Sequence, residues 1–129
     1  GPGGGALTKY LIDFPSVNYK LVEIDQEKID YLHNTYPIVK NKIIAGSILE
    51  IDSPFKSSFT LIGNFPYNIS TQIVFKVIEW REQIETMIGM FQKEVAVRIC
   101  AGPGSKDYGI ISVIAQAYFE TVYLNLNYF

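Results

Sequence analysis

Asn64-Phe65-Pro66-Tyr67 follows directly on the apolar run Thr60-Leu61-Ile62-Gly63, whose length and composition suit a buried strand. Asn64 brings a side-chain oxygen, Pro66 a carbonyl on a backbone of fixed φ, and Tyr67 a ring face. Together they answer one chemical problem, alkylation of the exocyclic amine of a base such as adenine. The lone pair of that nitrogen is delocalised into the ring and attacks poorly. Two acceptors aimed at the amino hydrogens favour a pyramidal nitrogen as attack proceeds. The base must also leave its stack to be reached, and an aromatic face can receive it for roughly 1–3 kcal/mol. A reactive methyl donor then requires neither a metal nor a strong base, so catalysis rests on positioning and electrostatics. The plain alternative is an Asn-Pro turn carrying a core tyrosine.

Two further features belong with such a loop. Gly1-Pro2-Gly3-Gly4-Gly5 opens a helical segment, and glycines there let a ligand approach the backbone closely. Its spacing is G-x-G-x-G, which is not the dinucleotide pattern, and it lacks the Lys-Ser/Thr pair of a phosphate-binding loop. Without a phosphate anchor, S-adenosylmethionine fits better than NAD or ATP; an ordinary loop is the other reading. Glu23 closes a short apolar run about 20 residues after the glycines, where an acid can accept from both ribose hydroxyls. It could equally be a solvated strand end. Asp25 is the expected cap of the following helix.

The elements that must position these residues alternate between two periodicities. Helices are expected where Leu7, Tyr10, Leu11 and Phe14 share a face, closed by Phe14-Pro15, then over Ile29, Leu32 and Tyr36. Three more follow over Thr71 to Trp80 behind a Ser70 cap, over Lys93 to Cys100, and over Tyr108 to Phe119. Strands are expected over Lys20 to Ile24, Lys42 to Ala45, Phe59 to Gly63 and Thr86 to Phe91, with a last one through Val122, Leu124 and Leu126. This order implies βαβ units, a mostly parallel sheet, and one domain over residues 1–129. Ligands on such sheets sit at the carboxyl ends of the strands. The glycines, Glu23, Gly46-Ser47 and Gly63 to Asn68 all fall there.

Composition removes other classes. The 129 residues are 48% hydrophobic and carry 11 Lys+Arg against 13 Asp+Glu, a net charge of −2, which excludes binding of nucleic acid by bulk positive charge. One cysteine excludes an internal disulfide framework, and no Cys/His spacing suggests zinc. No apolar stretch approaches a membrane span and no charged leader is visible, so a soluble, cytoplasmic setting is expected. His33 reads as solvated, Cys100 as a small core residue, and Phe75, Trp80, Tyr118 and Phe119 as core. Lys93, Arg98 and Lys106 could form a basic strip touching phosphates, or plain solvated surface.

With these residues in place, the chain resembles the rRNA adenine N6,N6-dimethyltransferase family. Four stretches carry the likeness: Gly-Pro-Gly-Gly-Gly-Ala-Leu-Thr at 1–8, Val-Glu-Ile-Asp at 22–25, Asn-Phe-Pro-Tyr-Asn-Ile-Ser-Thr at 64–71, and the segment 91–109 from Phe-Gln-Lys-Glu to Gly-Ser-Lys-Asp-Tyr-Gly. The first two occur in many methyltransferases, whereas the last two are specific to this family and its antibiotic-resistance relatives. The resemblance implies a Rossmann-like, S-adenosylmethionine-dependent methyltransferase sheet with flanking helices. It further implies dimethylation of two adjacent adenines near the 3′ end of small-subunit rRNA, with the immature small ribosomal subunit as partner. Gly1, Gly3 and Gly5 would then lie at the cofactor, Glu23 at its ribose, and Ser47 and Ile48 at its adenine. Asn64 would serve both cofactor and target amine, and Pro66 and Tyr67 would complete the catalytic set.

Departures from the family pattern carry expectations of their own. Ser47 stands where the family has an Asp, so a neutral acceptor replaces a charged one and weaker cofactor binding is expected. The family's first strand and its C-terminal helical domain are not in this sequence. The expected sheet therefore has a slot with exposed backbone donors and acceptors. Two rivals remain: a methyltransferase acting on protein glutamine or DNA adenine, and a non-catalytic RNA- or ribosome-binding module. The former usually has Pro where Phe65 stands.

Overall fold

The computed structural model describes residues 1–124. Two parallel strand pairs organise it. The first joins β1 (Leu21–Glu23) to β2 (Ile43–Ala45), with Leu21 opposite Ile43 and Glu23 opposite Ala45. The second joins β3 (Phe59–Asn64) to β4 (Ile84–Met90), with Leu61 opposite Met87 and Gly63 opposite Gly89. No ladder joins the two pairs among the described residues, so each strand keeps one unpaired edge. The parallel order expected from the alternating pattern is present within each pair, and among the described residues the two pairs form separate two-stranded sheets.

Each pair carries its own crossover helix. Between β1 and β2 run α2 (Gln26–Thr35) and a 3-10 turn over Pro37–Lys42. Between β3 and β4 runs α3 (Ser70–Glu79). Asp25 caps α2 as expected: its carboxylate accepts from the N–H groups of Glu27 at 3.0 Å and Lys28 at 3.4 Å. The Lys28 N–H bond is foremost in holding the Asp25 carboxyl below its ordinary range. Pro37 ends α2 but does not end helical geometry, because proline's fixed φ also suits the first position of a 3-10 turn. Tyr19, Leu21, Leu32 and Val39 form the core of this half, with Leu11 and Ile12 flanking it; Leu11 and Ile12 belong to the short α1 (Thr8–Ile12).

The second half is built on α3, α4 (Lys93–Cys100) and α5 (Ile110–Tyr118). Val74, Ile111 and Ala115 form one cluster, and Val77, Trp80 and Ile84 form another. Ile48 and Ile51, from the segment after β2, pack on the Trp80 cluster and so link the halves. The turn at Gly102 to Gly109 is held by two side chains of α5. The buried Ser112 hydroxyl accepts from Gly109 N–H at 3.1 Å and donates to the Arg98 carbonyl at 2.5 Å. Gln116 donates to the carbonyls of Ile99 and Ala101 at 2.9 and 2.8 Å, satisfying acceptors that the end of α4 leaves open.

Several sequence expectations need correction. Ser70 is the first residue of α3, not its cap; it is buried, and its hydroxyl donates to the Tyr67 carbonyl at 3.2 Å. His33 is not fully solvated: it is half-buried, and its enclosed Nε2 has no hydrogen-bond partner among the described residues. Phe75 and Tyr118 are exposed, while Trp80 is buried and Phe119 packs against it. Cys100 is only half-buried, since α4 rests on α5 at the periphery and has no fully buried residue. Residues 121–124 form no strand; Leu126 of the expected last strand lies outside the described residues. No helix among the described residues is long and apolar enough to cross a membrane.

Candidate active site

Glu23 is the one carboxylate buried among the described residues, at 4% exposure. A charge removed from water must be hydrogen-bonded, and the surrounding backbone supplies the donors. Glu23 Oε1 accepts from the N–H groups of Ile24 at 3.0 Å and Asp25 at 3.1 Å, where the chain turns from β1 into α2. Oε2 accepts from Gly3 N–H at 3.2 Å. A carboxylate offers about four lone-pair positions. Three are taken, so one remains on Oε2 for a hydroxyl, and a second opens only if Gly3 N–H lets go.

The glycine loop is therefore folded onto this acid. A side chain at Gly1 would put its Cβ 2.6 Å from Glu23 Oε2, so only glycine leaves the carboxylate approachable there. Gly5 does different work. Its φ of +85° turns the chain into α1, and a Cβ would meet the Tyr36 ring at 2.7 Å. Gly5 thus packs on the end of α2, while Gly1 and Gly3 face Glu23.

The loop after β2 joins the same corner, because Gly46 N–H donates to the Glu23 carbonyl at 2.9 Å. Ser47 directs its hydroxyl into its own turn, accepting from Leu49 N–H at 3.2 Å. Its carbonyl accepts from Glu50 and Ile51 N–H. Ile48 commits its side chain to the Trp80 cluster. Glycine turn, buried acid and post-β2 loop thus meet at one corner. A surface depression lined by Asp30, His33, Asn34, Pro37 and Lys40 lies toward the far end of α2, away from this corner.

Asn64 to Tyr67 forms the second element, at the carboxyl end of β3. Burial here alternates sharply: Phe65 is 3% exposed, its neighbours Asn64 and Pro66 are exposed, and Tyr67 is 65% exposed. Tyr67 is therefore not a core residue. The turn is closed by Ile69 N–H donating to the Pro66 carbonyl at 3.2 Å, and by Ser70 holding the Tyr67 carbonyl. The Pro66 oxygen keeps one lone pair for a target amine.

The basic residues form no single stripe. Lys93, Arg98 and Lys106 are all exposed and make no ion pair among the described residues. Lys93 and Arg98 are five positions apart on α4, which puts them about 140° apart around its axis. Lys106 belongs to the loop beyond. Among the described residues no cluster of His, Cys, Asp and Glu could hold a metal ion.

Parallel strand pairs with intervening helices, a buried acid ending the first strand and an Asn-Phe-Pro-Tyr turn ending the third define a Rossmann-like methyltransferase core. Sequence comparison narrows this class. A family profile described as ribosomal RNA adenine dimethylase matches residues 1–125, and the chain belongs to that family. Among its relatives is a ribosomal RNA small subunit methyltransferase A of Flavobacterium johnsoniae, 55% identical over 127 residues, covering 96% of this chain and 48% of the relative. The protein of that name from Cytophaga hutchinsonii is 50% identical over 126 residues, covering 96% and 49%. A crystal structure of a dimethyladenosine transferase from Plasmodium falciparum matches with a TM-score of 0.74 at 26% identity, covering 88% of this chain and 42% of that one. The chain thus spans about half the length of the curated relatives it matches.

Proposed function

We propose that this chain is the catalytic core of an S-adenosylmethionine-dependent enzyme that dimethylates two adjacent adenines of small-subunit rRNA at N6. The immature small ribosomal subunit in the cytoplasm is the partner this reading requires. One observation carries it beyond family membership: the β3 turn buries Phe65 and presents Asn64, Pro66 and Tyr67 outward together.

Bound S-adenosylmethionine supplies an electrophilic methyl group on a sulfonium. Gly1 leaves room at Glu23, Gly3 N–H donates to the same carboxylate, and its remaining free lone pair would hold a ribose hydroxyl. Tyr67 receives the unstacked adenine on its exposed ring. The Asn64 side-chain oxygen and the Pro66 carbonyl accept the two N6 hydrogens, holding the nitrogen lone pair toward the methyl. As the N–C bond formed, the donor's S–C bond would break with its electron pair staying on sulfur as a neutral thioether, the nitrogen would become cationic, and one of those hydrogens would leave as a proton to water. The two acceptors stabilise that developing charge, where preorganised dipoles act most strongly.

The test offers the full-length protein immature small subunits and a cell protein extract separately, with S-adenosylmethionine carrying a labelled methyl group. Label released by nuclease as dimethyladenosine is the expected result. Label in protein would replace the acceptor with a glutamine amide, and absence of label despite subunit binding would leave a non-catalytic module.

Ser47 gives a second prediction. Its hydroxyl is already engaged with Leu49 N–H, so it offers the cofactor's adenine a weak, neutral acceptor. Ser47→Asp should retain the bond to Leu49 N–H through one oxygen and present the other. Hydrogen bonds to charged groups contribute about 1.5–3 kcal/mol, so calorimetric titration should show S-adenosylmethionine bound roughly tenfold more tightly. Unchanged affinity would show that Ser47 does not face the cofactor.

A further inference from the structure

Gly63 and Gly89 stand directly opposite each other in the β3–β4 ladder, and both lie under the same ring. A Cβ on Gly63 would fall 2.7 Å from Phe65 Cε1 and 3.3 Å from Cδ1. A Cβ on Gly89 would fall 2.5 Å from Phe65 Cε2 and 2.9 Å from Cδ2. The two edges of one phenyl ring therefore rest on two adjacent strands, across a trough that only paired glycines create. Phe91 closes the trough: its Cε2 would be 2.6 Å from a Cβ on Gly89, and its ring lies 5.5 Å from that of Phe65, tilted by 47°. Glycine inside a strand weakens it and packs nothing by itself. Two in register call for another reason, and the buried ring is that reason.

We infer that Gly63 and Gly89 form a seat for Phe65, and that this seat sets the height and angle at which Asn64 and Pro66 leave the sheet. The inference rests on the functional reading above and makes Phe65 a positioning residue that touches neither base nor cofactor. The chain logic is direct. Phe65 lies between the two acceptors in sequence, and its N–H donates to the Met90 carbonyl at 3.3 Å as the last bond beyond β3. Past that point the motif has no ladder to hold it, and the ring becomes the anchor. A methyl group added to either glycine lifts one edge of the ring, and the flanking acceptors move with it. Reacting groups displaced by about 1 Å can lose roughly a hundredfold in rate.

The test compares Gly89→Ala, Phe65→Leu and the double variant in the full-length protein. Adding a methyl at position 89 while shortening the ring to leucine restores approximate volume, so a true seat predicts rescue. Gly89→Ala should lower kcat roughly a hundredfold, with KM for the RNA changed by less than about twofold. The double variant should recover at least about tenfold of that loss. The Asn64 side-chain amide resonances should shift in Gly89→Ala and return in the double variant. Fluorescence of Trp80, the only tryptophan and part of a separate core cluster, should stay native throughout. Additive losses in the double variant, or an Asn64 amide that does not move in Gly89→Ala, would overturn the seat. If Gly89→Ala does not fold, Phe65→Leu alone decides: native Trp80 emission with unaltered kcat and amide resonances would refute the inference. An inert wild-type protein would sink the functional reading, while the amide resonances would still decide the seat.

Discussion

Asn64→Ala in the full-length protein is expected to reduce kcat by about 10²–10³-fold, the range for losing one preorganised group facing developing charge. The affinity for RNA should change far less. Asn64 is exposed at the end of β3, and no side-chain hydrogen bond ties its amide to the rest of the chain among the described residues, so its removal leaves no buried group unsatisfied. What disappears is an acceptor that matters once the amine is pyramidal, and interactions made mainly in the transition state appear in kcat. RNA affinity is supplied by phosphate contacts and stacking, which alanine at position 64 leaves in place. Single-turnover methylation measured beside equilibrium RNA binding separates the two. Equal losses in both would show that Asn64 is structural and that the acceptor geometry belongs elsewhere.

Much of this arrangement could be read from residues in order along the chain. Helices α2, α3, α4 and α5 and strands β1 to β4 lie close to where periodicity puts them, because each repeats its apolar residues at its own period. Asp25 caps α2 for the reason its position suggests, two free N–H groups within reach. The expectations that fail are those decided by a particular contact and not by residue type and spacing. Ser70 looked like a cap, yet Tyr67 supplies an acceptor one turn back and draws the hydroxyl inward. Phe75 and Tyr118 carry core-like side chains, but α3 and α5 present other residues to the clusters.

The site followed the same division. Glu23 and the Asn64 turn were legible because strand ends concentrate ligand contacts in parallel sheets. The seat under Phe65 was not. Gly63 and Gly89 sit in two strands joined through α3, and nothing local fixes the register that puts them side by side. Two mid-strand glycines were the available signal, and their meaning depends on a ring placed between them by tertiary packing. The limited reach of Glu23 was equally hidden: its residue type announces four acceptor positions, while Gly3, Ile24 and Asp25 have already taken three.

That crowding makes Glu23 the second position of large effect. Glu23→Ala is expected to weaken S-adenosylmethionine binding by at least about tenfold to a hundredfold, the loss of one charge-assisted hydrogen bond at about 1.5–3 kcal/mol. A further loss follows from the released backbone, since the N–H groups of Gly3, Ile24 and Asp25 all lose their acceptor. Glu23→Gln divides these effects. Its amide oxygen can keep the bonds to Ile24 and Asp25 at the entry to α2, but its NH2 group faces Gly3 N–H, donor against donor. The glutamine variant should therefore retain the β1–α2 corner, free the glycine turn, and bind cofactor with intermediate affinity. Calorimetry ranks the three proteins, and amide hydrogen exchange at Gly3 reports the turn in each without cofactor. If Glu23 only anchored the loop, the glutamine variant would lose Gly3 protection while its ligand affinity recovered at high cofactor-independent loop order, for instance under stabilising osmolyte. Affinity that stays low under those conditions identifies the carboxylate itself as the ribose acceptor, and affinity unchanged in both variants would remove Glu23 from the cofactor site.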